Sequence, residues 1–245
     1  MSLRNHLLKL IRSILNPIGY DILKYRTTHP AHIVLDHLNL NNIKTVLDVG
    51  ANAGQYSHEL RKAGYKGRII SFEPLSEAFL GLKKKAVRDK NWQTFNFALG
   101  ETNGTATINV SKHSPSSSLL PMTILHKEAA PGSEYYKEEQ IEVKTLDNIF
   151  DTLGIAGDKV FLKVDTQGYE KKVLDGATRS LSSITGIQVE LSSAGLYQGE
   201  ELYYSICRFV EERNFHLVRI IPGFTHKTTR EMLQFDALFF KKEQV

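Results

Sequence analysis

Apolar and polar residues alternate along the chain in blocks that predict strands and helices in turn. Short apolar runs predict seven strands, at residues 45–49, 68–73, 92–98, 159–164, 185–190, 214–220 and 233–241. Helical spacing of apolar residues predicts helices at residues 31–40, 54–63, 76–87, 169–181 and 200–213. Strands that alternate with helices indicate an α/β fold, in which helices cover both faces of a mostly parallel sheet.

The last two predicted strands have no helix between them. Only the turn-forming pairs Pro222-Gly223 and Thr228-Thr229 fill the gap, so these strands should pair in antiparallel fashion. We therefore expect a seven-stranded sheet with an antiparallel last strand, an ending that Rossmann dehydrogenases lack.

Residues 45–57 combine an apolar strand, a turn with two glycines and the start of a helix. Gly50 and Gly54 let the backbone approach a ligand closely. The next strand ends on Glu73, where a carboxylate can accept two hydrogen bonds from a ribose diol. The pattern predicts half of a nucleotide-binding sheet, with the ligand at the carboxyl ends of the strands.

The residues of this turn indicate which nucleotide binds. In the dinucleotide pattern G-x-G-x-x-G, counted from Gly50, the other two glycines would stand at Asn52 and Gln55. The Gly-Lys-Ser/Thr ending of a P-loop is also missing. Asp48, just before the turn, would repel a pyrophosphate but would suit an ammonium group. S-adenosylmethionine fits, because it has a ribose, an adenine and an α-amino group but no phosphate. The simpler alternative is a glycine turn that only closes an αβ unit.

A second motif, at residues 160–170, places acids at the same edge of the sheet. Asp165 ends one strand and Glu190 ends the next, so the two carboxylates could flank a substrate. One of them could take a hydroxyl proton, or both could share a divalent cation. Purely structural roles are the alternative to these functional ones: Glu170 could cap its helix, and Glu190 could pair with a nearby lysine such as Lys163.

Taken together, these segments resemble the FkbM family of S-adenosylmethionine-dependent methyltransferases. The matching segments run in order from about residue 45 to 240: Val46–Gly54, Phe72–Pro74, Ala98–Gly100 with Gly104, Val143–Asp147, Leu162–Glu170, Val189–Glu190 and Asp236–Phe239. The resemblance implies the class I methyltransferase fold, a Rossmann-like sheet, and methylation of a hydroxyl on a sugar, a glycan or another small natural product.

The resemblance also implies which residues contact the cofactor: Asp48, Gly50, Asn52, Gly54 and Glu73, with Asn96, Ala98 and Leu99 along the adenine. We expect Asp165 to be the base, with Glu190 beside it and His113 or His126 as competitors. The sequence shows no paired histidine spacing typical of a metal site, so no metal ligand is assigned, although a divalent metal between the two acids stays an alternative.

A long segment, residues 111–139, separates a further predicted strand pair at residues 105–110 and 141–144. It holds Ser114-Pro-Ser-Ser-Ser118 and Pro131-Gly132. Loops of this length in a compact domain are more often functional or disordered than idle, so we expect a mobile lid or an acceptor-binding loop.

Charge and cysteine content limit the partners. Residues 1–26 carry five basic residues against Asp21, a net charge of +4, and the remainder is neutral. A neutral body argues against nucleic acid as a partner, since phosphate contacts need clustered Lys and Arg. Cys207 is the only cysteine and should be a core residue, and its isolation favours a reducing, cytoplasmic location.

The N-terminal residues fall outside the resemblance, so we expect a helical extension over residues 1–40 and a catalytic domain over residues 41–245. Residues 3–18 place leucines and isoleucines on one helical stripe. This helix could dock on the domain, which we favour, or could rest on an anionic surface at the inner face of a membrane.

Two other functions stay open at this stage. The first is N-methylation of a small amine or protein side chain, although the Asn/Asp-Pro-Pro-aromatic motif common for such acceptors is absent. The second is a non-catalytic module that binds S-adenosylmethionine. The sequence leaves the oligomeric state and the identity of the acceptor undetermined.

Overall fold

The structure is a computed structural model that describes residues 3–22 and 28–242. Its strands are β1 (Thr45–Val49), β2 (Arg68–Phe72), β3 (Trp92–Phe95), β4 (Ala98–Leu99), β5 (Gly104–Ser111), β6 (Tyr135–Lys144), β7 (Val160–Val164), β8 (Ile184–Ser192), β9 (Phe215–Pro222) and β10 (Gln234–Lys241). Its α-helices are α1 (Leu3–Leu15), α2 (Pro30–Leu40), α3 (Gln55–Ala63), α4 (Ser76–Ala86), α5 (Ile124–Ala129), α6 (Leu146–Ile149), α7 (Glu170–Asp175) and α8 (Tyr203–Glu211).

Seven strands form the main sheet in the order β3-β2-β1-β7-β8-β10-β9. Neighbouring strands are parallel, except that β10 runs antiparallel to both β8 and β9. This confirms the predicted mostly parallel sheet with an antiparallel last strand. The strand order reverses between β1 and β7, and the carboxyl ends of strands at such a point leave a crevice in which ligands bind.

The sheet carries a hydrophobic core on each face. The two central strands are buried along their whole length, so their side chains alternate between two apolar layers. Leu47 and Leu162 belong to one layer, and Val46 and Phe161 belong to the other. This double burial makes β1 and β7 rigid supports for whatever their carboxyl ends carry.

Two predicted elements are shorter than expected. The helix predicted at residues 169–181 ends at Asp175, and Ser180–Ser183 form a separate 3-10 turn. Gly176, directly after the helix, lies so close to Gly100 that a Cβ there would sit 1.9 Å from the Gly100 carbonyl oxygen. The strand predicted at residues 92–98 splits: β3 stays in the main sheet, and β4 joins a small second sheet of order β4-β6-β5.

Residues 111–139 are ordered rather than a structureless loop. They contain a 3-10 turn at Ser114–Ser116, helix α5 and the first part of β6, which begins at Tyr135 instead of near residue 141. Backbone bridges tie this segment to β5 and to Tyr197. The strand pair predicted here is therefore confirmed and is longer than predicted.

Helix α1 does not bury its apolar stripe, which corrects our expectation that it docks on the domain. Leu7, Leu10, Ile14 and Ile18 keep between 58% and 65% of their surface exposed. A 3-10 turn at Asn16–Ile18 and the left-handed Gly19 end the helix. Lys24 and Arg26, which contribute to the basic charge of this region, lie outside the described residues.

Within residues 3–22 and 28–242, the longest helices are too short or too polar to cross a bilayer.

Candidate active site

A cavity of about 200 Å³ lies at the carboxyl ends of β1, β2, β7 and β8. Part of its lining is apolar, and the rest carries acids, amides and hydroxyls. The lining residues include Val49, Gly50, Asn52, Phe72, Glu73, Leu75, Ala98, Leu99, Ile108, Ser114, Ser117, Leu119, Asp165, Thr166, Gln167, Tyr169 and Glu190. Two sequence motifs that are more than 100 residues apart therefore meet in one site.

Gly50 is required by the close approach of two strand ends. Its φ is +73°, and a Cβ there would lie 1.8 Å from the carbonyl oxygen of Asp165. The N–H groups of Gly50 and Ala51 both donate to the Phe72 carbonyl, and the N–H of Asp165 donates to the Val49 carbonyl. These contacts lock the ends of β1, β2 and β7 together, so the cavity floor is fixed by backbone packing.

Glu73 presents a buried carboxylate to the cavity. Its two oxygens accept hydrogen bonds of 2.8 Å from the N–H groups of Asn52 and Leu75. Burial raises the pKa of Glu73 to about 7, against the opposing effect of these two hydrogen bonds. Because each carboxylate oxygen can accept more than one hydrogen bond, both retain capacity toward a ligand hydroxyl.

The apolar wall lies next to Glu73. It includes Phe72, Leu75, Ala98, Leu99, Ile108 and Leu119. Ala98 and Leu99, which we predicted along the adenine, are therefore at the cavity. Asn96 is not: its side-chain amide donates to the carbonyls of Glu73 and Pro74, so it holds the end of β2 from outside.

Two other predicted contact residues also lie away from the cavity. The carboxylate of Asp48 is fully buried beneath the turn, where it accepts a 2.6 Å hydrogen bond from Ser57 and pairs with Lys163 at 3.3 Å. Gly54 has a left-handed backbone at the start of α3 and packs against Leu82 and Trp92. Both residues shape the turn, and neither lines the cavity.

Lys163 is a buried ammonium that joins the two motifs. Its Nζ lies 3.3 Å from Asp48, 3.2 Å from Asp165 and 3.3 Å from the Gly50 carbonyl. The charges of Asp165 and Asp48 raise the pKa of Lys163 despite its burial, which opposes them. Lys163 therefore stays charged and pairs with Asp48 and Asp165. The alternative in which Lys163 pairs with Glu190 is wrong.

Asp165 and Glu190 are joined by a single side-chain amide. The Nε2 of Gln167 donates to Asp165 at 3.0 Å and to Glu190 at 2.6 Å. Burial, together with the negative charge of Asp165, raises the pKa of Glu190 well above its usual value. The structure thus brings the two predicted acids together at the cavity, in different electrostatic environments.

Gln167 is itself fixed from two sides. Its side-chain oxygen accepts from the hydroxyl of Tyr197 at 2.8 Å, and its backbone oxygen accepts from Ser118 at 2.6 Å. It also has a left-handed φ of +55°, which is costly for a residue with a side chain. Sequence reasoning missed both residues: Gln167 stands inside the second motif as a spacer, and Tyr197 stands in no motif.

The two candidate histidines do not reach the cavity. His113 is exposed, and its Nδ1 lies 3.3 Å from the Ser116 hydroxyl. His126 is buried against Tyr197, and burial lowers its pKa to about 4. Their neighbour Ser114 does line the cavity, where its hydroxyl accepts from the Asn52 side chain at 2.8 Å. This segment therefore forms part of the cavity wall through serines rather than through histidines.

Glu170 has a structural role, but it stabilises the turn before α7 and does not cap the helix itself. Its carboxylate accepts from the backbone N–H groups of Thr166 at 2.7 Å and Gly168 at 3.2 Å. It thereby closes the turn that carries Gln167 into the cavity, and burial raises its pKa to about 7. In the described part of the chain, no group of three or more His, Cys, Asp and Glu side chains is arranged to hold a metal ion.

Comparison with protein families gives one decisive match. The model of the methyltransferase FkbM domain covers residues 48–217, more than two thirds of the chain. The chain belongs to the FkbM methyltransferase family. Its cofactor is S-adenosylmethionine, and its sheet is that of the class I methyltransferases. No functionally curated protein matches the chain.

Solved structures resemble this FkbM methyltransferase only distantly. A putative RNA methyltransferase from Pyrococcus horikoshii is 15% identical, covers 91% of each chain and has a TM-score of 0.45. Magnesium protoporphyrin IX methyltransferase from Synechocystis, solved with bound S-adenosylmethionine, is 10% identical over 91% of this chain and 87% of its own, with a TM-score of 0.46. Such values support no conclusion about the acceptor.

The cavity residues of this FkbM methyltransferase fit the cofactor. Glu73 offers a buried acceptor suited to ribose hydroxyls, and the apolar wall beside it suits an adenine ring. Asp165 and Glu190 place acids at the other part of the cavity, where a sulfonium cation is tolerated and a pyrophosphate is not.

Proposed function

We propose that the protein is an O-methyltransferase that methylates a hydroxyl of a sugar, a glycan or a related small natural product in the cytoplasm. The observation that carries the proposal is the Asp165–Gln167–Glu190 cluster, which lines the same cavity as Glu73. Family membership supplies methyl transfer, and this cluster supplies the means to activate a hydroxyl.

We assign the cofactor contacts from the cavity wall. Glu73 accepts hydrogen bonds from the ribose, Ala98 and Leu99 pack on the adenine, and Gly50 and Asn52 form the floor and rim of the turn. Asp48, Gly54 and Asn96 act indirectly, because they hold the turn and the end of β2 without lining the cavity.

The bound cofactor supplies an electrophilic methyl group on a sulfonium, so the protein's tasks are alignment and removal of a proton. An alcohol is a weak nucleophile at neutral pH, and a positioned base contributes about 10²–10⁴ in rate. Asp165 is the residue suited to this role, because Lys163 and Gln167 hold its two oxygens at the cavity.

Glu190 differs from Asp165 in its environment. Burial and the charge of Asp165 raise the pKa of Glu190 well above its usual value, so Glu190 holds a proton more readily than an exposed glutamate does. In its protonated form Glu190 can donate a hydrogen bond to an acceptor oxygen. This difference in environment supports proton abstraction by Asp165 and orientation by Glu190.

A polyhydroxylated acceptor is supported by the polar lining. Asn52, Ser114, Ser117 and Gln167 surround the acids with amides and hydroxyls, which are the groups that recognise sugar hydroxyls. An amine acceptor would place its nitrogen beside the same acids, but it requires no base of this kind once it is neutral.

The test is incubation of the full chain with S-adenosylmethionine carrying a labelled methyl group and with panels of sugars, glycan intermediates and small amines. We expect label in a hydroxylated compound as a methyl ether, and loss of the label with Asp165→Asn. Transfer only to amines would contradict the proposal. A different result would identify a non-catalytic binding module. In that case S-adenosylhomocysteine would bind, no panel compound would be labelled, and Asp165→Asn would behave as wild type in every assay.

A further inference from the structure

Helix α1 has one apolar face and one polar face. With 100° between successive residues, Leu7, Leu10 and Ile14 fall within one narrow stripe of α1, and Ile11 adjoins it. Ile18 follows in the 3-10 turn after the helix. Leu7, Leu10, Ile14 and Ile18 are each more than half exposed. Over two turns of helix, leucine and isoleucine side chains therefore meet solvent as a continuous apolar surface.

The opposite face is basic and carries no acid. Lys9 and Arg12 lie away from the stripe, and residues 3–20 contain no Asp or Glu. Asp21, beyond the helix, pairs with Arg12 at 2.8 Å. Residues 1–26 hold a net charge of +4, whereas the rest of the chain is neutral.

Within the described residues, the side-chain hydrogen bonds and the ion pair of α1 reach no further than Ile22. Among these residues α1 makes no polar contact with the catalytic domain, and their apolar core does not cover its stripe. Burial of the stripe needs a partner that the described residues do not supply.

We propose that α1 is an interfacial helix that binds an anionic phospholipid membrane and holds the methyltransferase domain at that surface. At 13 residues the helix is about 20 Å long, too short to span a bilayer but suited to lie in its surface. The stripe would enter the acyl boundary, and Lys9 and Arg12 would face the lipid phosphates.

Charge favours a membrane over a second copy of the chain. A second copy of α1 could cover the stripe, but residues 3–20 contain no acid, so it would supply no negative charge to Lys9 on the opposite face. An anionic membrane covers the stripe and also supplies negative headgroups to the basic residues beside it. This inference goes beyond the proposed function and does not depend on the cofactor or the acceptor.

The experiment is sedimentation of the full chain with vesicles of pure phosphatidylcholine and of an equimolar mixture with phosphatidylglycerol. We expect binding to the anionic vesicles, with an affinity that falls on the order of tenfold or more at high salt. Leu10→Glu with Ile14→Glu should abolish binding. The matched control is Leu40→Glu, since Leu40 is also an exposed leucine on a helix, at the end of α2.

S-adenosylhomocysteine binding serves as the folding control for every variant, because α1 contributes no cavity residue. Sedimentation velocity tests the alternative partner, a second copy of the chain. If the wild type is a dimer that does not bind vesicles, and Leu10→Glu with Ile14→Glu makes it a monomer, the proposal is overturned. Equal binding by the Leu10/Ile14 variant and wild type would overturn it as well.

Discussion

The hydroxyl of Tyr197 donates a 2.8 Å hydrogen bond to the side-chain oxygen of Gln167. The Gln167 amide is thus held at both ends: its oxygen accepts from the phenol, and its NH₂ group donates to Asp165 and Glu190. A residue outside both motifs thus orients the group that links the two acids.

Tyr197→Phe should therefore reduce turnover. The change removes only the hydroxyl of a buried ring, and it leaves the Gln167 oxygen without this partner, at a cost of about 1–3 kcal/mol. We expect kcat to fall about tenfold and the KM for S-adenosylmethionine to change little, measured on the acceptor found by the labelling screen.

Tyr135→Phe is the matched control for that variant. The Tyr135 hydroxyl, on a partly buried ring, also donates a hydrogen bond, but to the Leu120 carbonyl rather than to Gln167. If both variants lost the same activity, the effect would be one of general stability, and the positioning role of Tyr197 would be refuted. A shifted pH–rate profile in Tyr197→Phe alone would support it.

Asp165→Asn tests the proposed base. Asparagine keeps the size of the side chain and one accepting oxygen for Gln167, and Lys163 keeps Asp48 as a partner. The basicity is lost, so we expect kcat to fall by about 10²-fold or more. Calorimetry should show S-adenosylhomocysteine affinity close to that of wild type. Near-normal turnover would mean that another group removes the proton, and the exposed His113 would then need to approach the cavity.

The fold could be predicted from the sequence because its signal is local. The apolar runs of β1 and β7 are buried on both faces, and such runs are recognisable without knowledge of their neighbours. The surroundings of the end of α7 were not predictable in this way. Gly176, which follows the helix, lies against Gly100, a residue far away in sequence, and no local pattern reveals that contact.

The site was predictable where a residue lies at or just beyond the carboxyl end of a strand. Glu73 and Asp165 directly follow β2 and β7, Glu190 lies near the end of β8, and all three line the cavity. Asp48 lies within β1, and strand alternation directs its side chain to the face opposite that of Val49, where it meets Lys163 instead of the cavity. Tyr197 approaches Gln167 only through tertiary packing, and no local pattern indicates such a contact.

Glu73 should make cofactor binding depend on pH. Its pKa is raised to about 7 by burial, and hydroxyl donors from a ribose would favour the charged form and lower that pKa. Binding then releases a proton below pH 7, so the Kd for S-adenosylhomocysteine should rise by up to about tenfold per pH unit as the pH falls further. Calorimetry in buffers of different ionisation enthalpy would measure how many protons are released on binding.

Glu73→Gln should remove this dependence and weaken binding throughout, since a charge-assisted hydrogen bond contributes about 1.5–3 kcal/mol. Circular dichroism must accompany the measurement, because glutamine leaves one of the N–H groups of Asn52 and Leu75 without its acceptor. A folded variant with wild-type affinity at pH 8 would show that Glu73 does not hold the ribose.

Gly50→Ala should disrupt the junction between the two motifs. The new Cβ would meet the Asp165 carbonyl oxygen at 1.8 Å, which forces the ends of β1 and β7 apart, in addition to the strain of a left-handed φ. Gly157→Ala separates these causes, because Gly157 has a φ of +82° and open space around its Cβ position. We expect Gly157→Ala to cost about 1 kcal/mol of unfolding free energy, as a left-handed residue does. Gly50→Ala should cost several times more and should abolish S-adenosylhomocysteine binding. Equal losses in urea unfolding would show that backbone strain, and not contact with Asp165, is what requires glycine at residue 50.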